Sequence, residues 1–147
     1  LRSPILFIIF NRIDTASQVF KAIRNARPQK LYIACDGPRP NKEGEDIACQ
    51  QTRSLAQKVD WPCQVQTMFL EENLGPSLGP YSFIKWFFTY EEQGIILEHD
   101  CLPHPDFFPY CEELLDKYRD NPRIGAISGP NFIPNPDFPY SYTFTIY

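Results

Sequence analysis

The sequence predicts an α/β fold with a mostly parallel, doubly wound sheet and helices on both faces. Three observations carry this expectation. Short apolar runs alternate with helix-length amphipathic stretches, in the order β-α-β-α-β-α-β-α-β. Several runs are nearly continuous in apolar residues, as strands buried on both faces are. Three of them end abruptly in polar residues, at Asn11-Arg12, Asp36-Gly37 and Glu98-His99-Asp100.

Pro4 to Phe10 (P-I-L-F-I-I-F) reads as a central strand. Asp14 or Thr15 is suited to cap the helix that follows, with Ala16, Val19, Phe20 and Ile23 at helical spacing. Arg24 and Arg27 complement its negative end, and Pro28 stops it. Lys30 to Cys35 is the second strand, closed by the polar turn Asp36-Gly37-Pro38-Arg39-Pro40. A helix is expected from about Glu43 to Val59, burying Ile47, Leu55 and Val59, with Trp61-Pro62 as its breaker.

Cys63 to Leu70 reads as a third strand. The loop Glu71 to Pro80 feeds an aromatic-rich helix expected from about Pro80 to Glu92. Ile95, Ile96 and Leu97 form a fourth strand, expected to be buried on both faces. A helix from about Pro105 to Tyr118 should carry Phe107, Phe108, Leu114 and Leu115 inward, with Glu112 to Asp116 solvated. Ile124 to Ser128 reads as a last strand, before an aromatic, proline-rich end.

The 147 residues suit one domain with a full core, spanning 1–147. The chain begins without Met and ends within the alternating T-F-T-I-Y, so we expect the N-terminal part of a longer protein. A net charge of -4 offers no bulk attraction to nucleic acid or to an anionic membrane. No apolar run reaches the ~20 residues of a membrane span. The five cysteines are odd in number and form no C-x-x-C, so neither a disulfide framework nor a thiolate zinc site is indicated. Read as small buried hydrophobes, they favour a reducing compartment, hence a cytoplasmic location.

The strand ends are where ligands bind in open α/β sheets. Two carboxylates and an imidazole at the end of a hydrophobic strand need partners, and a hard divalent cation bridging to a ligand phosphate would serve. Glu98 and Asp100 lie two apart, on one side of an extended strand, whereas His99 points away from Asp100. Arg12 suits a bidentate grip on a phosphate. Asp36 can accept from a base or ribose donor, and Gly37 would let a ligand approach the backbone. The helix that follows Asn73 to Pro80 presents an N-terminus to an anion, although its prolines remove donors. Each of these residues also has a plain structural role, as a turn, a cap or a surface charge.

The block G-I-I-L-E-H-D-C-L-P-H-P-D-F-F at Gly94 to Phe108 resembles the metal-binding segment of nucleotide-sugar glycosyltransferases of the GT-A fold. It is most like N-acetylglucosaminyltransferase I and related bacterial sugar transferases. Supporting matches follow in order: P-I-L-F-I-I-F-N-R at Pro4 to Arg12, Y-I-A-C-D-G at Tyr32 to Gly37, E-N-L-G at Glu72 to Gly75, and A-I-S-G-x-N at Ala126 to Asn131. The resemblance implies a Rossmann-like, nucleotide-binding half of a GT-A enzyme. In it Asp100 would hold Mn²⁺ or Mg²⁺ on a UDP-sugar diphosphate, Glu98 would support the ribose or donor sugar, and Asp36 would meet the uracil edge. Arg12, Gly37 and His99 would line the nucleotide. The acceptor would be a carbohydrate or a lipid-linked one. His99 stands where the family carries an acid, and the family's base lies downstream, so no general base is named in this chain. Two other readings stand beside it: a non-catalytic nucleotide-binding or interaction module of the same fold, and a hydrolase using Cys101.

Overall fold

A computed structural model of the chain describes residues 1–129. Four strands and four helices alternate along it: β1 (Ile5–Ile9), α1 (Ile13–Ala26), β2 (Lys30–Cys35), α2 (Glu45–Arg53), β3 (Gln64–Phe69), α3 (Gly75–Phe87), β4 (Ile95–Glu98) and α4 (Phe107–Tyr118). The strands form one all-parallel sheet in the order β3-β2-β1-β4. This is the expected doubly wound α/β architecture. Among the described residues no helix is long and apolar enough to cross a membrane.

The period of two along each strand sorts the core into two layers. Ile5, Phe7 and Ile9 of β1, Leu31, Ile33 and Cys35 of β2, and Ile95 and Leu97 of β4 face α1, α4, Leu55 and Trp61. Leu6, Ile8, Tyr32 and Ala34 face the other way, against Phe83 and Phe87 of α3. Among the described residues one face thus has several helices and the other has α3. At the foot of the sheet Tyr32 is buried, and its hydroxyl donates to Glu91 at 2.5 Å.

Several boundaries differ from the sequence expectation for physical reasons. Helix α1 starts at Ile13, directly after Arg12, so neither Asp14 nor Thr15 caps it. Helix α2 ends at Arg53 and continues as a 3₁₀ segment, Ser54–Lys58. Gly44 precedes it at φ 76°, a conformation that glycine adopts freely. Its inward face is Glu45, Cys49 and Thr52, not Ile47, which is 57% exposed. At about 100° per residue Ile47 stands opposite Glu45. Thr52 tolerates burial because its hydroxyl donates to Ala48 O at 2.9 Å.

Helix α3 begins five residues earlier than expected and runs through Pro80 to Phe87. Among the described residues β4 is the edge strand, not one buried on both faces: Ile95 and Leu97 are buried while Ile96 and Glu98 are exposed. Glu112 of α4 is not simply solvated, because its carboxylate accepts from the amides of Arg2 at 2.6 Å and Ser3 at 3.0 Å. Residues 124–129 form no strand. Tyr110 donates its hydroxyl to Ser128 O at 3.4 Å, and Gly129 lies against the Phe107 ring. The segment therefore crosses the start of α4 and does not enter the sheet. The T-F-T-I-Y pattern and the end of A-I-S-G-x-N lie outside the described residues.

Because α3 is the helix that covers this layer among the described residues, Phe87 should be a sensitive position. We expect Phe87→Ala to destabilise the fold by about 3–5 kcal/mol, read as a lower urea midpoint at unchanged slope. A loss below about 1 kcal/mol would show that the α3 layer contributes little.

Candidate functional site

The sheet order places a reversal between β1 and β4. The chain winds from β1 outward to β2 and β3, then returns across β1 to lay down β4. Such a switch point, at the carboxyl ends of the strands, is where open α/β sheets commonly bind ligands. Arg12 stands at the end of β1, and His99 and Asp100 follow the end of β4.

The Arg12 guanidinium joins the two sides. Its Nε donates to His99 Nε2 at 3.1 Å and its Nη2 to Asp100 Oδ2 at 2.8 Å. The spacing argument that separated His99 from Asp100 fails here, because β4 stops at Glu98 and residues 99–100 form a turn. Both side chains then face the same guanidinium. Burial lowers the pKa of His99 and Arg12 adds to that, while Asp100 and Glu98 pull the other way. The neutral imidazole is also what the geometry needs, since Nε2 must keep its lone pair to accept from Arg12. Glu98 is exposed and makes no side-chain hydrogen bond among the described residues. The Arg12 side chain is 54% exposed and that of Asp100 38%, so the pair faces solvent.

Asp36 and Gly37 do something different from what their sequence position suggests. Asp36 is buried, and its carboxylate accepts from the amides of Gly37, Leu74 and Gly75, each at 2.9 Å, and from Asn73 Nδ2 at 3.2 Å. The anion at the N-terminus of α3 is therefore the chain's own carboxylate. Its oxygens are engaged by the 73–75 loop and are not presented to a base edge. A Cβ on Gly37 would overlap the backbone of Glu71 and Glu72. The missing side chain at Gly37 permits this close approach of the two loops.

Sequence reasoning missed a second buried carboxylate. Glu45, at the first turn of α2, accepts from Asn11 Nδ2 at 2.9 Å and from the Arg39 amide at 2.7 Å, and is ion-paired with the Arg39 guanidinium. This ties the end of β1 to the start of α2. The Arg39 hydrogen bonds hold the Glu45 carboxyl down to about 2 against the burial that opposes them. Nothing in the pattern R-P-N-K-E-G-E marks Glu45 over Glu43; only the packing separates them. Arg53 also closes this edge, donating to Asp36 O at 3.1 Å and Leu70 O at 2.6 Å.

Two neighbouring groups stand apart from this corner. His104, in the turn before α4, interacts with Asp106 within that turn. Cys101 is exposed, unlike the expected buried hydrophobe, and its thiol lies 3.8 Å from Asp100 Oδ1. Burial, then the acids Asp100 and Glu98, raise its pKa, which is the wrong direction for a nucleophilic thiolate. The structure gives the Cys-hydrolase reading no support. All five cysteines are free.

The described residues hold no group of three or more His, Cys, Asp or Glu side chains that could bind a metal by themselves. Comparison with known protein families, with curated proteins and with solved structures finds no match for this chain.

Two outcomes follow from the buried acids. Asp36→Ala should cost roughly 2–4 kcal/mol and speed hydrogen exchange at the Leu74 and Gly75 amides. Unchanged protection there would remove Asp36 as the anchor of α3. For Glu45 the folded pKa lies below the ordinary 4.5, so its contribution is present above about pH 4.5 and is lost as pH falls towards 2. Urea melts between pH 5 and pH 2 should show a shallower acid loss for Glu45→Gln than for the wild type. Parallel curves would count against the Arg39 pair as the cause.

Proposed function

We propose that this chain is the donor-binding portion of a GT-A-type glycosyltransferase that uses a nucleotide sugar, with UDP as the nucleotide. The observation that carries the reading is the convergence of Arg12, His99 and Asp100 at the switch point of an all-parallel sheet. The ordered sequence resemblance supports the same place independently.

Each residue then has a task suited to its chemistry. Arg12 offers a planar fork of donors to a diphosphate. Asp100 supplies the one carboxylate for Mn²⁺ or Mg²⁺, which when bound would neutralise charge on the leaving diphosphate. Glu98, exposed beside it, is free to accept from hydroxyls of the ribose or donor sugar. His99 orients Arg12 through the Nε hydrogen bond. Asp36 and Gly37 build the neighbouring wall and do not touch the nucleotide. The acceptor, a carbohydrate or a lipid-linked sugar, receives the donor sugar through an oxocarbenium-like state whose cost falls as the leaving group is stabilised.

A second reading is a non-catalytic module of the same fold. One observation favours it: Leu74, Leu78, Tyr81 and Phe88 lie exposed along the outer side of α3 and its ends.

Calorimetry with UDP in the presence of Mn²⁺ separates the readings at the level of the site. Asp100→Ala should weaken UDP binding by about tenfold or more, in keeping with loss of a bridging ligand. Equal binding by the variant and the wild type removes Asp100 from the site. Tight UDP binding without sugar transfer or donor hydrolysis by any common nucleotide sugar favours the module.

A further inference from the structure

We propose that the chain pairs with a second copy of itself along the free edge of β3, so that the two sheets join into one. Strand β3 pairs with β2 alone among the described residues. The amides of Gln64 and Leu70 donate to Gln29 O at 2.8 Å and Cys35 O at 3.0 Å, on the β2 side. Backbone groups alternate along a strand, so Val65, Thr67 and Phe69 turn their N–H and C=O groups away from β2. A row of donors and acceptors thus stands on an open edge. Nothing blunts this edge: β3 keeps regular register with β2 over its six residues and carries no proline and no charged residue. The side chains from Gln64 to Thr67 are exposed on both faces of the sheet. Strand β4, the other edge among the described residues, has only four residues and ends in the charged Glu98.

One register matches all of these free groups. A two-fold axis through Thr67, perpendicular to the sheet, sets Thr67 against the partner's Thr67 and Val65 against the partner's Phe69, antiparallel. Each is then a hydrogen-bonded pair that exchanges both of its bonds, and no outward group of Val65, Thr67 or Phe69 is left over. With the axis moved to Gln66, Phe69 would fall opposite Cys63, which lies outside the strand. The side chains agree with the first register, since aromatic against β-branched and threonine against threonine are favourable cross-strand pairs. Val65, Thr67 and Phe69 lie on the face of Leu31, Ile33 and Cys35, so the Val65 pair extends that apolar layer across the junction. The strand is uncharged, so no like charges meet on it at the axis. The same residues supply both sides of every pair, which is what commits the edge to a second copy. The junction is separated from β1 by β2, so pairing leaves the Arg12 corner of each copy exposed and is independent of nucleotide binding there.

The full chain should sediment as a concentration-dependent dimer in analytical ultracentrifugation. Thr67→Lys sets two ammonium groups against each other at the axis and should weaken dimerisation about tenfold or more. Thr67 is exposed, so urea melts should show this variant folded. Thr67→Cys tests the register, because the Cα atoms of a hydrogen-bonded pair lie about 5.5 Å apart, within reach of a disulfide. Mild oxidation should link position 67 to position 67, and peptide mapping separates that link from any made by the five native cysteines. Hydrogen exchange at the Val65, Thr67 and Phe69 amides should slow as the dimer fills. A wild type that stays monomeric at about 0.1 mM, where a contact of micromolar affinity would be saturated, overturns the pairing. A folded Thr67→Lys that dimerises as tightly as the wild type overturns it, as does absence of the link between positions 67. Should Thr67→Lys fail to fold, the link and the exchange decide. Slow exchange at the three amides in a monomer gives the edge to another segment of the same chain, such as T-F-T-I-Y at 143–147, and overturns the second copy as its occupant.

Discussion

The buried carboxylate of Asp36 organises the carboxyl edge of this sheet. Its oxygens gather four donors, three of them backbone amides, from segments that lie up to 39 residues further along the chain. A carboxylate taken out of water needs such a set, because each missing partner leaves an uncompensated desolvation cost. In return it satisfies amides at the start of α3 that have no partner within the helix. That is why α3 forms from Gly75 although Pro76 and Pro80 both lie within it. The approach is close enough that position 37 has no room for a side chain. With α3 set in place, Phe83 and Phe87 reach Leu6, Ile8 and Tyr32 and cover the second face of the sheet.

The same edge is laced at two other points, and the three laces differ in exposure. Glu45 joins α2 to β1 through Asn11 and Arg39 and is buried. Arg12 joins β1 to the turn after β4 and faces solvent. The first two connections close off polar groups that could otherwise serve a ligand. The third is the one whose partners remain within reach of water, and it falls where the winding of the sheet reverses. Solvent screening makes such an exposed pair worth little to stability. A ligand can therefore displace it cheaply, whereas it could not displace Asp36 from the α3 amides without unravelling the helix start.

The parts of this fold that were legible in the sequence are those set by local pattern. The apolar runs of β1 and β2, the helical spacing of Ala16, Val19, Phe20 and Ile23, and the parallel winding all follow from periodicity and element order. The errors come from contacts distant in sequence. The start of α3 was hidden because its cap is a side chain from β2, where the local reading met only prolines. The inward face of α2 was misread because it buries Glu45 and Thr52, polar residues whose partners satisfy them. β4, expected from three apolar residues to be buried on both faces, leaves Ile96 exposed at the edge of the sheet that the described residues form. At the site, the types and positions of Arg12, His99 and Asp100 were legible. That one guanidinium would bind both of the others was not, because the alternation rule was extended one residue past the end of the strand.

That last point bears on what the imidazole of His99 does in this turn. With an acid at position 99, Arg12 would face carboxylates at 98, 99 and 100 and could match only one. An imidazole accepting from Arg12 Nε keeps the guanidinium oriented without adding a negative charge. Burial favours the neutral ring, and the Arg12 charge favours it further. The arrangement leaves Asp100 as the one carboxylate of the turn that is fixed in position, with Glu98 beside it and unengaged. No group of three or more His, Cys, Asp or Glu side chains able to hold a metal gathers here among the described residues, so what the turn itself fixes is one exposed guanidinium between an imidazole and a carboxylate.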